Sequence, residues 1–170
     1  MAPWRRLNGL LRGRFQRWER PIPQSDQFLR IVPSVLRHIR RHRQASFAAR
    51  EAGGQLFGRL TPELVLVSHV SGPYARDERG RYTFRSNPQA AQMAIERFAR
   101  RGLLYLGEWH THAEDVPRPS ADDDQALRQI FARSQRNSSA LLLVILGLGK
   151  PDIDIGVWYL DASGHLCAIS

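Results

Sequence analysis

The chain has 170 residues and a formal net charge of +9, and 42% of its residues are hydrophobic while 24% are charged. This length and composition are typical of one globular domain with a sizeable core. No apolar run approaches the ~20 residues of a membrane span. The single cysteine, Cys167, excludes an internal disulfide and a cysteine-rich metal site. Together these features favour a reducing, cytoplasmic setting.

The positive charge lies in the N-terminal third of the chain. Residues 1–50 hold 12 arginines against 2 acidic residues, whereas residues 51–170 hold 13 basic and 14 acidic groups. The apolar residues of the first stretch recur at helical spacing, at Trp4, Leu7, Leu11, Phe15 and Trp18. We therefore expect a basic leader over residues 1–25, flexible or an amphipathic helix, ahead of a domain over 26–170. Such a block contacts nucleic acid, anionic lipid or an acidic protein, and a solvated leader is the simplest alternative.

Hydrophobic periodicity predicts helices and strands in alternation after the leader. In chain order the predicted strands cover residues 28–32, 49–60, 63–70, 103–111, 140–148, 152–160 and 166–169. The predicted helices run from Pro33 or Ser34 to about Gln44, over residues 88–101 and over residues 120–136. The strand over 140–148 is a continuous apolar run, which indicates burial on both faces. This order predicts an α/β domain with a mixed β-sheet flanked by helices.

The first predicted helix carries His38 and His42, which lie four residues apart. This spacing can bind a metal ion, but arginines surround both positions and repel a cation. We therefore expect two surface histidines without a metal.

The stretch Gly107–Asp123 contains the pattern His-x-His-x7-Ser-x2-Asp. His110 and His112 end a predicted strand, so their side chains point to one face, about 6.6–7 Å apart. Ser120 is predicted to be the N-cap of the next helix, with Asp123 in its first turn. Two imidazoles and one carboxylate fill three of the four positions of a tetrahedral zinc site and leave the fourth open.

Together with an upstream glutamate, Glu51 in EAGGQLFGRL, this pattern resembles the JAMM (MPN-type) zinc metallopeptidases. The resemblance implies that His110, His112 and Asp123 bind Zn²⁺. It also implies that Glu51 is the general base for the attacking water, and that Ser120 holds that water or stabilises the tetrahedral intermediate. The implied architecture is the MPN fold, which is similar to that of cytidine deaminases.

Some assignments stay open at the level of sequence. Asp123 is flanked by two further aspartates; the motif spacing selects it, and neighbours on a helix point about 100° apart. Glu108 shares the histidine face, so it rivals Glu51 as the base or hydrogen-bonds a histidine. Ala113 stands where the family commonly has proline, which loosens the loop but removes no ligand. Three charged loop residues beside the motif contact either substrate or solvent: Glu114, Asp115 and Arg118.

The string GEWHTH resembles the compact bacterial stand-alone JAMM proteins, which occur with ubiquitin-like conjugation enzymes, including those of anti-phage defence operons. The resemblance implies a deubiquitinase-like isopeptidase that cleaves after the C-terminal glycine of a ubiquitin-like modifier. Its implied partners are that modifier, its conjugates and the conjugating enzymes. Processing of a sulfur-carrier protein is one alternative, and a non-catalytic MPN binding module is another. A zinc nucleobase deaminase is excluded, because it needs a Pro-Cys-x-x-Cys pair and this chain has one cysteine.

Overall fold

The computed structural model describes residues 18–133, 140–150 and 153–170. The described strands are β1 (Trp18–Pro21), β2 (Phe28–Ile31), β3 (Gly53–Leu60), β4 (Leu64–Val70), β5 (Glu78–Arg79), β6 (Phe84–Arg85), β7 (Leu104–Thr111), β8 (Leu141–Leu146), β9 (Ile155–Leu160) and β10 (Leu166–Ala168). The described helices are α1 (Pro33–Arg40), α2 (Pro88–Ala99) and α3 (Ala121–Arg133). The predicted α/β class, a mixed sheet flanked by helices, is confirmed.

Eight of these strands form one sheet in the order β1-β2-β4-β3-β7-β8-β9-β10. The pairs β2–β4 and β7–β8 are parallel and the other neighbours are antiparallel. Strands β5 and β6 pair antiparallel in a separate two-stranded ribbon. Strand β7 lies in the middle of the sheet, so β3 and β8 bracket the end that carries the two histidines.

Helices cover both faces of the sheet. Along β8, Val144 and Leu146 pack in the cluster that contains the buried residues of α1, whereas Leu143 and Ile145 pack in the cluster that contains those of α3. All four side chains are at most 2% exposed, which confirms burial of this strand on both faces. Helix α2 lies on the same face as α3, where its Phe98 ring stacks on the Phe57 ring of β3.

Helix α1 ends at Arg40, earlier than the expected end near Gln44. The chain continues as a turn, with the backbone N–H of His42 donating to Ile39 at 3.0 Å. Arg40 and Arg43 then converge on the carboxylate of Asp154, which is fully buried. Two arginines of the basic N-terminal third are therefore paired inside the fold, and they tie the end of α1 to the segment before β9.

Residues 1–17 of the predicted leader lie outside the described residues. Trp18–Pro21 form strand β1, which pairs antiparallel with β2 at the edge of the sheet. The Tyr159 hydroxyl donates to the Pro23 carbonyl at 3.1 Å and holds the following segment against β9. The boundary at residue 26 stays a prediction. Within the described part of the chain, every helix is too short or too polar to cross a bilayer.

Candidate metal centre

The C-terminal end of β7 presents the two histidines: His110 lies within the strand and His112 directly follows it. The backbone N–H of Thr111 donates to the Ala52 carbonyl at 2.9 Å, and the Ala52 N–H donates to the Thr111 hydroxyl oxygen at 3.0 Å. On the other side, the N–H of His112 donates to the Leu146 carbonyl at 2.8 Å. Both neighbouring strands thus hold this backbone, and the Nε2 atoms of His110 and His112 lie 2.9 Å apart.

The third predicted ligand reaches the histidines from the first turn of α3. Asp123 Oδ1 lies 3.2 Å from His110 Nε2, and Oδ2 lies 3.3 Å from His112 Nε2. Ser120 donates to Oδ2 from both its backbone N–H and its hydroxyl at 2.7 Å, and it accepts from the Asp123 N–H at 3.1 Å. This reciprocal N-cap aims the carboxylate at the histidines. Asp124 instead forms an ion pair with the next turn of α3, so of these two aspartates Asp123 is the one turned to the cluster.

The chemistry of the cluster fits a zinc ion. The ligating atoms of His110, His112 and Asp123 lie within 4.8 Å of one another, and this is the single such group of three or more found in the part of the chain that the structure describes. His112 Nδ1 lies 2.7 Å from Glu114 Oε1. A proton on Nδ1 donates to that carboxylate and leaves the Nε2 lone pair directed at the cluster, the tautomer that a metal ligand needs. Two such nitrogens with one carboxylate oxygen form a zinc donor set.

Glu114 therefore has the role that the sequence allowed for Glu108: it is the carboxylate that orients a histidine. Sequence reasoning placed Glu114 on the loop beside the motif but linked it to substrate or solvent. The signal in the sequence was weak, because His-x-Glu across a loop does not specify that the two side chains meet.

The electrostatics of the cluster favour positive charge. Burial acts to lower the pKa of His112, but its hydrogen bonds with Asp123 and Glu114 outweigh burial and raise that pKa to about 9. Burial acts to raise the pKa of Asp123, but hydrogen bonds from His110 and His112 hold it well below its usual range. The group therefore stabilises a cationic centre between its carboxylates.

Glu51 reaches the cluster through the pairing of β3 with β7. Gly53 pairs with His110 in the antiparallel register, which places Glu51, two residues earlier, beside His112. Gly53 itself leaves no room for a side chain: a Cβ there would lie 2.4 Å from the Phe84 ring and 2.5 Å from the Trp109 carbonyl oxygen. The Glu-x-Gly-Gly pattern thus combines a carboxylate with backbone that packs too closely for any larger residue.

The backbone of Glu51 is held by the segment before β6. Its N–H donates to the Gly80 carbonyl at 2.8 Å, and the Arg79 guanidinium donates to its carbonyl. The side chain is 5% exposed, and burial raises its pKa to about 7, against the opposing charge of His112 and with the added charge of Asp123. A buried carboxylate that senses the charges of His112 and Asp123 has the position that a general base requires.

A groove of about 1130 Å³ extends from the cluster between α2 and α3. His110 and Asp123 contribute to its lining, and Gln55 and Glu108 form part of its floor. The carboxylate of Glu108 accepts from the Tyr105 hydroxyl and from Gln55 Nε2, the latter at 3.0 Å. Burial raises the pKa of Glu108 to about 7 although these hydrogen bonds oppose the shift. Glu108 therefore lies along the groove, with polar partners of its own.

His38 on α1 and His42 just after it pack on the opposite face of the sheet from the cluster. Their rings pack at 5.6 and 5.8 Å from the Trp109 ring, and His38 Nε2 lies 2.7 Å from the Gly72 carbonyl oxygen. Both are half-buried, so the expectation of surface histidines is only partly met. Their contacts are those of packed structural residues.

The comparisons with known proteins agree with this geometry. A protein of Pseudomonas aeruginosa named CD-NTase/cGAS isopeptidase is 37% identical over 122 residues, which cover 70% of this chain and 77% of that protein. Proteins of the same name from Escherichia coli and Vibrio cholerae are 28% and 31% identical, over 79% and 78% of this chain and 85% and 87% of their own lengths. A solved structure from Desulfitobacterium hafniense, 20% identical, covers 81% of this chain and 87% of its own with a TM-score of 0.61, which supports the fold alone.

The family described as Prok-JAB, prokaryotic homologs of the JAB domain, matches residues 32–158. This range contains Glu51 and the whole of the segment from His110 to Asp123, and the match confirms the resemblance to JAMM (MPN-type) proteins. The chain therefore belongs to the prokaryotic homologs of the JAB domain.

Proposed function

We propose that this protein is a zinc-dependent isopeptidase that removes or processes a protein conjugate, cleaving after the C-terminal glycine of a ubiquitin-like modifier or of a protein conjugated in the same way. The convergence of His110, His112 and Asp123, with Glu51 buried beside them at one end of a groove, carries this proposal. The name shared by the relatives, CD-NTase/cGAS isopeptidase, supports a conjugate that contains a CD-NTase.

In this proposal His110, His112 and Asp123 hold the zinc ion. Zinc held there would supply Lewis-acid chemistry, polarisation of a substrate carbonyl and a lowered pKa of water. Glu51 accepts the proton of the attacking water and passes it to the leaving amine. The Ser120 hydroxyl donates to Asp123 and so positions a ligand. Its expected contact with the water or the tetrahedral intermediate stays a prediction.

The shape of the site supports a substrate with an extended tail. The groove between α2 and α3 meets the cluster at His110 and Asp123, so a chain lying in it brings its C-terminal carbonyl to the candidate metal. The amine of the second protein then approaches from the Glu51 side, where the leaving group receives its proton. An isopeptide bond has these two parts, a flexible tail and a lysine side chain.

The chain offers a matched test of the ligand set, because Asp122 and Asp123 are neighbours with different surroundings. Asp123→Ala is expected to lose bound zinc and cleavage together, whereas Asp122→Ala, altered at an exposed position, keeps both. Zinc is measured by elemental analysis of the purified proteins. Stoichiometric zinc in Asp123→Ala contradicts the proposed ligands.

The test of Glu51 as the base needs uncleaved conjugates. Cells that express the Glu51→Gln variant are expected to accumulate them, and they are purified from these cells through a tagged CD-NTase. Wild-type protein should cleave them, a chelator should stop cleavage and added zinc should restore it. Glu51→Gln should keep its zinc and lose about a hundred- to ten-thousandfold in turnover. Turnover of the variant at the wild-type rate removes Glu51 from the base role.

The remaining alternatives predict different results in the same assay. A sulfur-carrier processing enzyme cleaves a sulfur-carrier fusion in preference to the CD-NTase conjugate, and a non-catalytic module binds zinc without cleaving either. Genes for conjugating enzymes next to the gene of this protein would support a role in an anti-phage system, whereas sulfur-carrier genes there would contradict it.

The cytoplasmic setting stays a prediction.

A further inference from the structure

Two exposed aromatic side chains lie on segments that adjoin Glu51: Phe47 is four residues before it, and Tyr82 is two residues after Gly80, whose carbonyl accepts from the Glu51 N–H. Phe47 is 85% exposed and Tyr82 is 73% exposed. The guanidinium carbon of Arg81 lies 4.5 Å from the Phe47 ring centroid and 5.4 Å from that of Tyr82. Isolated exposed apolar residues are ordinary, but two aromatic rings around one arginine have the composition of an interface hot spot. We call Phe47, Arg81 and Tyr82 the aromatic patch.

Hydrogen bonds build the aromatic patch in advance of any contact. Arg81 donates from Nε to the Tyr82 hydroxyl at 3.0 Å, and from Nη1 to the carbonyls of Ser46, at 3.3 Å, and of Phe47. The buried amide of Gln44 donates to the Arg81 carbonyl at 2.9 Å. Because the side chains are already ordered, a partner that covers them loses little conformational entropy on binding.

The segments that carry the aromatic patch also hold the candidate base. The N–H of Glu51 donates to the Gly80 carbonyl at 2.8 Å, and Arg79 donates to the carbonyls of Glu51 and, at 3.3 Å, of Arg50. The patch and Glu51 therefore belong to one hydrogen-bonded unit made of residues 44–51 and 79–82.

The aromatic patch and the groove lie on different sides of the cluster. Along β3, Gln55 lines the groove, Gly53 pairs with His110, and Glu51 precedes the strand on the side of the patch. Phe84 of β6 lies over Gly53 and lines the groove, whereas Arg81 and Tyr82 lie in the turn between β5 and β6, outside the groove lining. When the bond to be cleaved lies at the cluster, one half of the conjugate therefore lies in the groove and the other half lies beside Glu51, toward the aromatic patch.

We propose that the aromatic patch docks the acceptor protein, the half of the conjugate that carries the modified lysine. The docked surface of the acceptor is apolar where it covers Phe47 and Tyr82. At its rim it carries carboxylates, because Arg50, Arg79 and Arg81 place positive charge beside the aromatic patch. This inference rests on the proposed function, since it assigns the second half of the same substrate.

The test compares two substrates that share one tail. The first is the conjugate purified through the tagged CD-NTase, and the second is a peptide with the same tail whose C-terminal glycine carries a fluorogenic amine. In the double variant Phe47→Ala/Tyr82→Ala, the ratio of kcat/KM on the conjugate to kcat/KM on the peptide should fall about tenfold. Phe28→Ala, which truncates an aromatic side chain 48% exposed on β2, should leave this ratio at the wild-type value.

Each outcome decides one question. If wild-type protein cleaves neither substrate, the proposed function is wrong. If wild-type protein cleaves both, and the double variant keeps the wild-type ratio or Phe28→Ala lowers the ratio as much, the acceptor does not dock on the patch. A parallel melting curve of each variant checks that the fold is kept, as expected for side chains that are mostly in solvent.

Discussion

Gly54→Ala tests whether close backbone packing sets the position of Glu51. Gly54 pairs with Trp109 in the register of β3 and β7. A Cβ at this position would lie 2.1 Å from the Ser71 carbonyl oxygen and 2.9 Å from the Gly72 Cα, whereas real Cβ contacts essentially never fall below 3.0 Å. Strand β3 and the segment after β4 must therefore separate by about 0.9 Å, the difference between 2.1 and 3.0 Å.

This displacement has two expected costs. Forcing a methyl group into packed backbone destabilises a protein by about 1–3 kcal/mol. Glu51 lies three residues before Gly54 on the same segment, so it moves with the strand, and a misplacement of about 1 Å can cost about a hundredfold in rate. We expect kcat/KM on the conjugate to fall about a hundredfold with no change in the zinc content of the purified protein.

Gly102→Ala is the matched control. Gly102 has φ +71° and no other atom within 4 Å of a built Cβ, so alanine meets only the strain of the left-handed region, about 1–2 kcal/mol. It precedes β7, at the opposite end from the histidines. Denaturant unfolding, zinc content and kcat/KM are measured for both variants. Equal kcat/KM for Gly54→Ala and Gly102→Ala would refute the link between this packing and the proposed role of Glu51.

Three further predictions concern stability. Asp154→Asn removes the buried carboxylate that pairs with two partly exposed arginines. Because solvent partly screens those arginines, we expect a loss of about 1–3 kcal/mol of unfolding free energy. An unchanged denaturation midpoint would contradict the importance of this pairing. Burial lowers the pKa of His42 below its ordinary 6.5, so the unfolded chain binds a proton at His42 more readily than the folded chain does. The contribution of neutral His42 to folding stability is therefore fully present above pH 6.5 and is lost as the pH falls through the lowered pKa. His42→Gln should therefore reduce the slope of stability against pH below 6.5, and the same slope in both proteins would rule His42 out. Removal of residues 1–24 takes away β1 and should lower the melting temperature; an unchanged melting temperature would mean that the pairing of β1 with β2 contributes nothing.

Local patterns predicted the parts of the site that are close together in the chain. Alternation along a strand placed His110 and His112 on one face, and the Ser-x2-Asp spacing placed Asp123 in the first turn of α3, next to its N-cap. Strand β8 was recognisable because an uninterrupted apolar run is stable only when both of its faces are buried. The early end of α1 was not visible from local patterns, and neither was the pairing of Arg40 and Arg43 with a buried carboxylate more than a hundred residues away.

What the sequence by itself determined is the chemistry: two imidazoles, a carboxylate and a glutamate, in a spacing that is hard to explain except as a metal site. The tertiary structure alone decided which groups meet. The antiparallel register of β3 against β7 brings Glu51 to His112, the loop after β7 turns Glu114 onto the same histidine, and the segments around Glu51 assemble the aromatic patch. The physical reason is that helix spacing and strand alternation depend on neighbouring residues, whereas register and loop contacts depend on hydrogen bonds and packing between distant segments, which no local pattern records.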